Sequence, residues 1–297
     1  MAALNFSERP VLVFWETTKA CALSCLHCRA EALAGPLPGE LTTREAERFL
    51  DSLTAFGKPL PVVILTGGDL LMRPDILHLI GRARGLGLPV GLSPSVTDRL
   101  TPQWIDDVRR LGVRSVSVSL DGGRPSTHDD IRGVPGHWGD TLRALRNLTA
   151  AGMTAQVNTT VMRENVRELP ILAELLIEFK VPVWEVFFLI QTGRGSQMKD
   201  LNAQECEDVI HFLYDVSRYG LAVRTVEAPF FRRVVRWRQH DPADSPVEWM
   251  AQRYALGGVY TELAREWQAR MGAEKSASLA QGSGMRDGNG IVFVGYD

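Results

Sequence analysis

The sequence predicts an α/β fold in which helices cover a parallel β-sheet. Between about residues 11 and 220, short apolar segments alternate with amphipathic segments, giving six strand–helix units in succession. Each unit is roughly thirty residues long, the length of a strand with its crossover helix. Continuous apolar strands that alternate with amphipathic helices are typical of a buried parallel sheet. The pattern alone leaves two architectures open, a doubly wound sheet and a closed or partly closed barrel.

The strands are predicted from apolar runs rich in Val, Ile and aromatic residues, which favour an extended backbone. With their polar or glycine-rich exits they are 11–17, 61–69, 88–95, 113–123, 153–162 and 181–195. The helices are predicted at 41–57, 73–87, 101–112, 138–152, 165–180 and 202–220. Thr42 or Thr43 is expected to cap the first helix, and Thr101 caps the third with Pro102 at its first position.

Beyond about residue 221 the alternation loosens. Residues 226–237 and 245–272 have helical patterns, and the basic stretch 230–239 is expected to be one solvated face of a helix. A polar, glycine-rich segment at 273–289 predicts a flexible loop. The final residues, 291–297, begin with the strand-like run IVFV. We therefore expect a helical C-terminal extension after the alternating units.

Composition and charge indicate a protein of the cytoplasm. The net charge is −2, which gives no electrostatic indication of a nucleic acid or an anionic membrane as partner. No run reaches the eighteen or so apolar residues of a membrane span, and the N-terminus lacks the pattern of a signal peptide. Thiols stay reduced in the cytosol, so a tight group of cysteines there indicates a metal site rather than disulfides.

Three of the four cysteines, Cys21, Cys25 and Cys28, follow directly after the first strand. Ligands bind at that edge of a parallel α/β fold. A structural zinc site needs four ligands in two pairs, yet His27 is adjacent to Cys28 and Cys206 lies within a distant predicted helix. The pattern therefore favours three thiolates that hold three corners of a four-iron cluster and leave the fourth iron open.

The spacing C-x3-C-x2-C in CALSCLHC resembles that of the radical S-adenosylmethionine (SAM) superfamily. The resemblance covers roughly residues 9–225. It implies a partial (β/α)6 barrel of the TIM type with a C-terminal helical extension at 226–297. It also implies two cofactors, a [4Fe–4S] cluster on the three cysteines and SAM on the open iron. In such enzymes the reduced cluster cleaves SAM, and the resulting 5′-deoxyadenosyl radical removes a hydrogen atom from a substrate.

Within the superfamily, the motifs TGGD, SLDGGRPSTHDDIRG and GRG resemble the SPASM-containing branch that includes enzymes of haem d1 and alternative haem biosynthesis. Those relatives carry further cysteines for an auxiliary cluster in a C-terminal region. This sequence has no cysteine after Cys206. We expect that region either to lie beyond Asp297 or to be absent.

The resemblance also implies residues that bind SAM. The turn Gly67-Gly68-Asp69 matches the motif for the methionyl ammonium, although the family usually has glutamate for Asp69 and proline in place of Leu70. Arg132 is the candidate for the carboxylate, because a guanidinium pairs well with it. The alternative role of Arg132 is a structural ion pair with Asp129 or Asp130.

The remaining candidates lie on or after the later strands. Ser119 and Asp121 alternate at the end of the fourth strand, so both point the same way. Asn158 on the fifth strand is expected to contact either the ribose or a buried polar network. The other expected cofactor contacts, among them the lining of the adenine, are His27, Ser93 and Leu189, of which Leu189 also fits the core.

The predicted function is a radical SAM enzyme with a tetrapyrrole side chain as its first candidate substrate. A ribosomally made peptide is the alternative substrate, and a non-catalytic iron–sulfur electron carrier is the alternative class. The expected partners are a small-molecule or peptide substrate and a reducing donor such as a flavodoxin or ferredoxin.

Overall fold

The computed structural model describes residues 6, 8–31, 33–242, 245–272, 276–280 and 289–296. Its centre is one parallel sheet of eight strands in the order β7-β6-β5-β4-β3-β2-β1-β8. The strands are β1 Leu12–Glu16, β2 Val62–Thr66, β3 Val90–Leu92, β4 Ser115–Ser119, β5 Thr154–Val161, β6 Val183–Phe188, β7 Ala222–Val226 and β8 Ile291–Val294. The sheet is curled into a half-barrel with helices on its outside, which confirms the partial TIM-type architecture.

Helices connect successive strands as the alternation predicts. They are α1 Thr43–Ser52, α2 Ile76–Gly85, α3 Pro102–Arg110, α4 Pro125–Arg132, α5 His137–Ala150, α6 Leu169–Glu178, α7 Ala203–Val216, α8 Phe231–Arg238, α9 Val247–Tyr254 and α10 Gly258–Met271. Thr42 caps α1 in a capping box with Glu45, and Thr101 caps α3 by accepting from the Trp104 amide. None of the described helices combines the length and apolar character that a membrane span needs.

One strand and one helix differ from the sequence expectation. β7 was not predicted, because its five residues, AVRTV, include two polar side chains and form an edge strand that is not covered on both faces. The strand-like end of the chain does form β8, which pairs in parallel with β1 at the opposite edge. A short helix, α4, lies between β4 and α5.

The two faces of the sheet differ because side chains alternate along each strand. Val13 and Trp15 of β1 face outward into the helix-covered core, where Trp15 contacts Phe49 of α1 edge to face. Phe14 therefore faces the inside of the half-barrel, where its ring stacks on Phe293 of β8 at 5.0 Å. Inside-facing positions of β4 and β5 are polar and only partly buried, which leaves the interior accessible to a ligand.

The C-terminal helices pack on the outside of the half-barrel. Tyr260 and Trp267 of α10 are almost fully buried and belong to the same apolar core as the sheet. Asp208 of α7 fixes the start of α10 by accepting the amides of Gly257 and Tyr260 at 2.7 and 3.2 Å. The loop expected to be flexible at 273–289 falls largely outside the described residues, and the division after residue 225 stays a proposal.

Candidate functional site

The loop that carries the cysteines follows β1 and docks on the glycine turn after β2. The amide of Gly68 donates to the carbonyl of Thr18, and that of Asp69 to the carbonyl of Ala20, both at 2.7 Å. A Cβ atom on Gly68 would lie 2.4 Å from the Ala20 oxygen. Gly67 has a φ of +135°, and its Cβ would lie 2.5 Å from the Thr18 oxygen. Only glycine permits this approach of two backbones.

The exit of β6 holds the cysteine loop from the other side. Gly193 has a φ of +54°, and a Cβ there would lie 2.5 Å from the carbonyl oxygen of Arg29. Arg194 donates its backbone amide to the Cys28 carbonyl at 3.1 Å and its Nε to the Cys25 carbonyl at 2.9 Å. The sequence expectation missed this contact, although the GRG motif after a strand could have indicated a close backbone approach.

A cavity of about 180 Å³ opens beside the loop, at the carboxyl ends of β2, β3 and β4. The predicted site residues that line it are Cys21, Cys25, Cys28, His27, Gly67, Gly68, Ser93, Ser119 and Arg132. Seven further lining residues were not predicted to be part of a site: Leu23, Thr66, Pro94, Ser95, Val96, His137 and Arg194. The strand exits thus bring together most of the residues that the motifs singled out.

Asp69 lies behind the cavity wall. It is fully buried, and its carboxylate accepts the amides of Leu71 at 3.1 Å and Ser95 at 3.2 Å. Burial raises the pKa of Asp69, and these hydrogen bonds oppose the shift. The side chain therefore joins the exits of β2 and β3. Its predicted contact with the cofactor's ammonium group stays a prediction.

Arg132 and Asp121 form a buried ion pair between β4 and the cysteine loop. Nη2 of Arg132 lies 2.5 Å from Oδ2 of Asp121, and Nη1 donates to Sγ of Cys25 at 3.5 Å. Burial, the largest single effect, would raise the pKa of Asp121, but the Arg132 guanidinium, the two neighbouring histidines and the Thr160 amide together lower it. Arg132 thus pairs with Asp121, while Asp129, one of the two aspartates considered as its alternative partner, accepts the amides of Gly136 and Trp138.

Two buried histidines form a directional chain of hydrogen bonds behind this pair. The amide of Asp121 donates to Nδ1 of His128 at 3.0 Å, so Nε2 carries the proton of that ring. Nε2 lies 2.8 Å from Nδ1 of His137, whose own Nε2 then donates to the Val96 carbonyl at 2.9 Å. Burial lowers the pKa of His128 to about 3. The neutral pair ties the exit of β4 to the exit of β3.

The last two predicted contacts lie away from the cavity. Asn158 is on the inner face of β5, in register with Ser119, and its side chain accepts from Gln156 at 2.8 Å. This contact belongs to the polar network that was its alternative reading. Leu189 is buried in a small apolar cluster with Ile131, Met162 and Met198. Neither position is tested as a cofactor contact.

The described residues contain no group of three or more His, Cys, Asp or Glu close enough to hold a single metal ion. In an iron–sulfur cluster each thiolate binds a different iron, so the three thiolates need not lie close enough together to hold one ion. Two cavity-lining side chains each have a buried nitrogen without a hydrogen-bond partner, Nδ1 of His27 and Nε of Arg132. Such atoms cost free energy unless a ligand or water satisfies them.

The sequence profile of the radical SAM superfamily matches residues 15–176, more than half of the chain. The chain belongs to the radical SAM superfamily. An AdoMet-dependent heme synthase of Oleidesulfovibrio alaskensis is 39% identical, over 84% of this chain and 65% of that protein. An Fe-coproporphyrin III synthase of Methanosarcina barkeri is 31% identical, over 99% of this chain and 69% of that protein. The chain thus spans about two thirds of the length of these relatives.

The fold agrees with this assignment. Streptococcus suis SuiB bound to S-adenosylmethionine superposes with a TM-score of 0.66 and 14% identity, over 76% of this chain and 52% of that one. Members of the superfamily bind a [4Fe–4S] cluster and SAM. The residues present fit both groups: three thiols lie on one loop, and the cavity beside them has unpartnered polar nitrogens on His27 and Arg132.

Gly68→Ala is expected to disturb the cysteine loop, because its Cβ would overlap the Ala20 carbonyl. We expect a loss of about 1–3 kcal/mol in unfolding free energy, together with a lower iron content after anaerobic reconstitution. Gly85→Ala at the end of α2 is the matched control, since no atom lies within 4 Å of its Cβ position. Equal iron content and stability in the two variants would show that the close approach is unimportant.

The histidine chain predicts that stability falls in acid. His128 has a pKa of about 3 when folded and about 6.5 when unfolded, so only the unfolded chain takes up its proton between these values. The contribution of neutral, buried His128 to the free energy of unfolding is complete above pH 6.5. Below that pH it decreases by about 1.4 kcal/mol per pH unit. Chemical unfolding of wild type and His128→Gln at pH 7 and pH 5 should give a shallower loss in the variant. An equal loss of unfolding free energy in wild type and variant would contradict the low pKa assigned to His128.

Proposed function

We propose that this chain is a radical SAM enzyme that cleaves S-adenosylmethionine reductively and abstracts a hydrogen atom from a substrate. The observation that carries the proposal is that Cys21, Cys25 and Cys28 all line one cavity, at the carboxyl ends of β2–β4. In this proposal the bound cluster supplies the electron that breaks the carbon–sulfur bond of SAM.

The chain's own residues hold and shield the reacting groups. The three thiolates would bind the irons, and the turn Gly67-Gly68 would line the cavity beside the methionyl end. Arg132 directs a charged N–H at the carboxylate through its unpartnered Nε. Burial lowers the pKa of His27 to about 4, so its ring is neutral and free to pack against the nucleoside. Ser93 and Ser119 complete the lining of the proposed site, and Asp69 and Asp121 support its walls. The predicted cofactor contacts of Asn158 and Leu189, which lie outside this cavity, stay predictions.

A tetrapyrrole is the substrate class that we propose. The relatives named heme synthase and Fe-coproporphyrin III synthase support it. The interior of the half-barrel offers a second support, because the aromatic rings of Phe14 and Phe293 stack on each other there. Phe293 is 69% exposed, which leaves its area available to a planar macrocycle.

The other expectations about the whole protein keep the status of proposals. The electron donor is proposed to be a small reductase partner such as a flavodoxin or ferredoxin, and the location is proposed to be the cytoplasm. A region with an auxiliary cluster would have to follow Asp297, since no cysteine lies after Cys206. A peptide substrate remains the alternative, and an electron carrier remains the alternative class.

Anaerobically reconstituted protein with dithionite should convert SAM to 5′-deoxyadenosine, and Cys25→Ala should lose the activity with the cluster. Cys206→Ala is the matched control, because that thiol lies on α7 and donates to the Leu201 carbonyl rather than lining the cavity. Iron-containing protein that never cleaves SAM would favour the electron carrier.

The substrate is tested in the same assay with deuterated compounds. An iron porphyrin with deuterated propionate side chains should transfer deuterium into 5′-deoxyadenosine, and Phe293→Ala should weaken its binding. Transfer only from a peptide would overturn the tetrapyrrole proposal while leaving the radical SAM chemistry intact.

A further inference from the structure

Arg132 lies where the C-terminal end of α4 meets the cysteine loop. The amide of Leu26 donates to the Ile131 carbonyl at 2.8 Å, which fixes the helix end against the loop. Gly133 ends α4 in the left-handed conformation, with a φ of 71°. The backbone is therefore fixed on both sides of Arg132. Arg132 is only 8% exposed.

The guanidinium of Arg132 contacts one sulfur atom and one carboxylate oxygen, each through a different nitrogen. Nη1 donates to Sγ of Cys25 at 3.5 Å, while Nη2 pairs with Oδ2 of Asp121 at 2.5 Å. Asp121 is itself fixed, because its Oδ1 accepts the Thr160 amide at 2.8 Å. The Cys21 sulfur has neutral neighbours instead, the Leu23 amide at 3.4 Å and the Ser95 hydroxyl at 3.6 Å.

We propose that Arg132 is a positioning residue that donates a charged hydrogen bond to the Cys25 thiolate and raises the reduction potential of the cluster, with Asp121 limiting the rise. The proposal rests on the proposed function, because it requires a cluster on Cys25. Reduction adds one negative charge to the cluster, and a nearby cation or hydrogen bond to sulfur stabilises that charge. The negatively charged carboxylate of Asp121 lowers the reduction potential, but it acts from a greater distance.

This role is separate from the predicted contact of Arg132 with SAM. It uses Nη1, whereas the nitrogen without a partner is Nε. It also predicts an effect when no SAM is present. The reduction potential of the reconstituted cluster can therefore be measured in a mediated titration, followed by the electron paramagnetic resonance signal of the reduced form.

Arg132→Met should lower the ratio of reduced to oxidised cluster at least tenfold at a fixed solution potential, about 59 mV for a one-electron couple. Asp121→Asn should shift the potential in the opposite direction, because it removes the negative charge and keeps an acceptor for the Thr160 amide. Arg132→Lys should recover part of the loss. Arg124→Met is the matched control, since Arg124 caps the other end of α4 and pairs with Glu168.

Opposite shifts in the Arg132 and Asp121 variants, with no shift in Arg124→Met, are the expected result. Equal potentials in all variants would overturn the inference, even if iron content fell, because that result would assign Arg132 a structural role only. If Arg132→Met binds no cluster, the reduction potentials of Arg132→Lys and Asp121→Asn decide: shifts in opposite directions support the inference, and unchanged potentials overturn it. A wild-type protein that binds no iron would refute the proposed function instead, so the two failures are distinguishable.

Discussion

The site depends on the contact between the cysteine loop and the backbone of the strand exits. Gly68 and Gly193 each face a carbonyl of the loop at a distance that leaves no room for a side chain. Hydrogen bonds from the amides of Gly68, Asp69 and Arg194 then fix the loop's path. The thiols are therefore placed by the sheet, because their positions follow from where β2 and β6 end.

A second consequence of the same architecture is the buried polar network around β4. The carboxylate of Asp121 pairs with Arg132, and its amide donates to His128. His128 is hydrogen-bonded to His137, which in turn donates to the Val96 carbonyl. The Thr141 hydroxyl lies 3.5 Å from Nε2 of His128 and 3.4 Å from Nδ1 of His137, so it adds a further polar contact to both rings. The network joins the exits of β3 and β4 to α4 and α5, the elements that surround the cavity. Rigid support of this kind keeps binding groups in place.

The sequence was sufficient to predict the elements whose cause is local. Strand–helix alternation, the cap at Thr42 and the cysteine spacing each reflect a few neighbouring residues, and the structure confirms the fold that they imply. Gly67 and Gly68 were also found, but as ligand contacts. Their contact with Thr18 and Ala20 depends on residues about fifty positions apart, which no local pattern shows.

Long-range pairs were the parts that sequence reasoning could not supply. The ion-pair partner of Arg132 was sought among the adjacent aspartates, yet Asp121 lies eleven positions away across a turn. The interactions of Arg194 with the cysteine loop and of His128 with His137 likewise require the folded sheet. β7 was missed because an edge strand with alternating polar residues lacks the apolar run that marks the buried strands.

The central claim is that three thiolates bind an iron–sulfur cluster whose remaining iron is open to SAM. Mössbauer spectroscopy of ⁵⁷Fe-reconstituted protein, with and without SAM, tests it most directly. We expect the spectrum of a [4Fe–4S] cluster in which SAM changes the signal of one iron. A cluster spectrum that SAM leaves unchanged, or zinc in place of iron on oxygen-free protein, would contradict it.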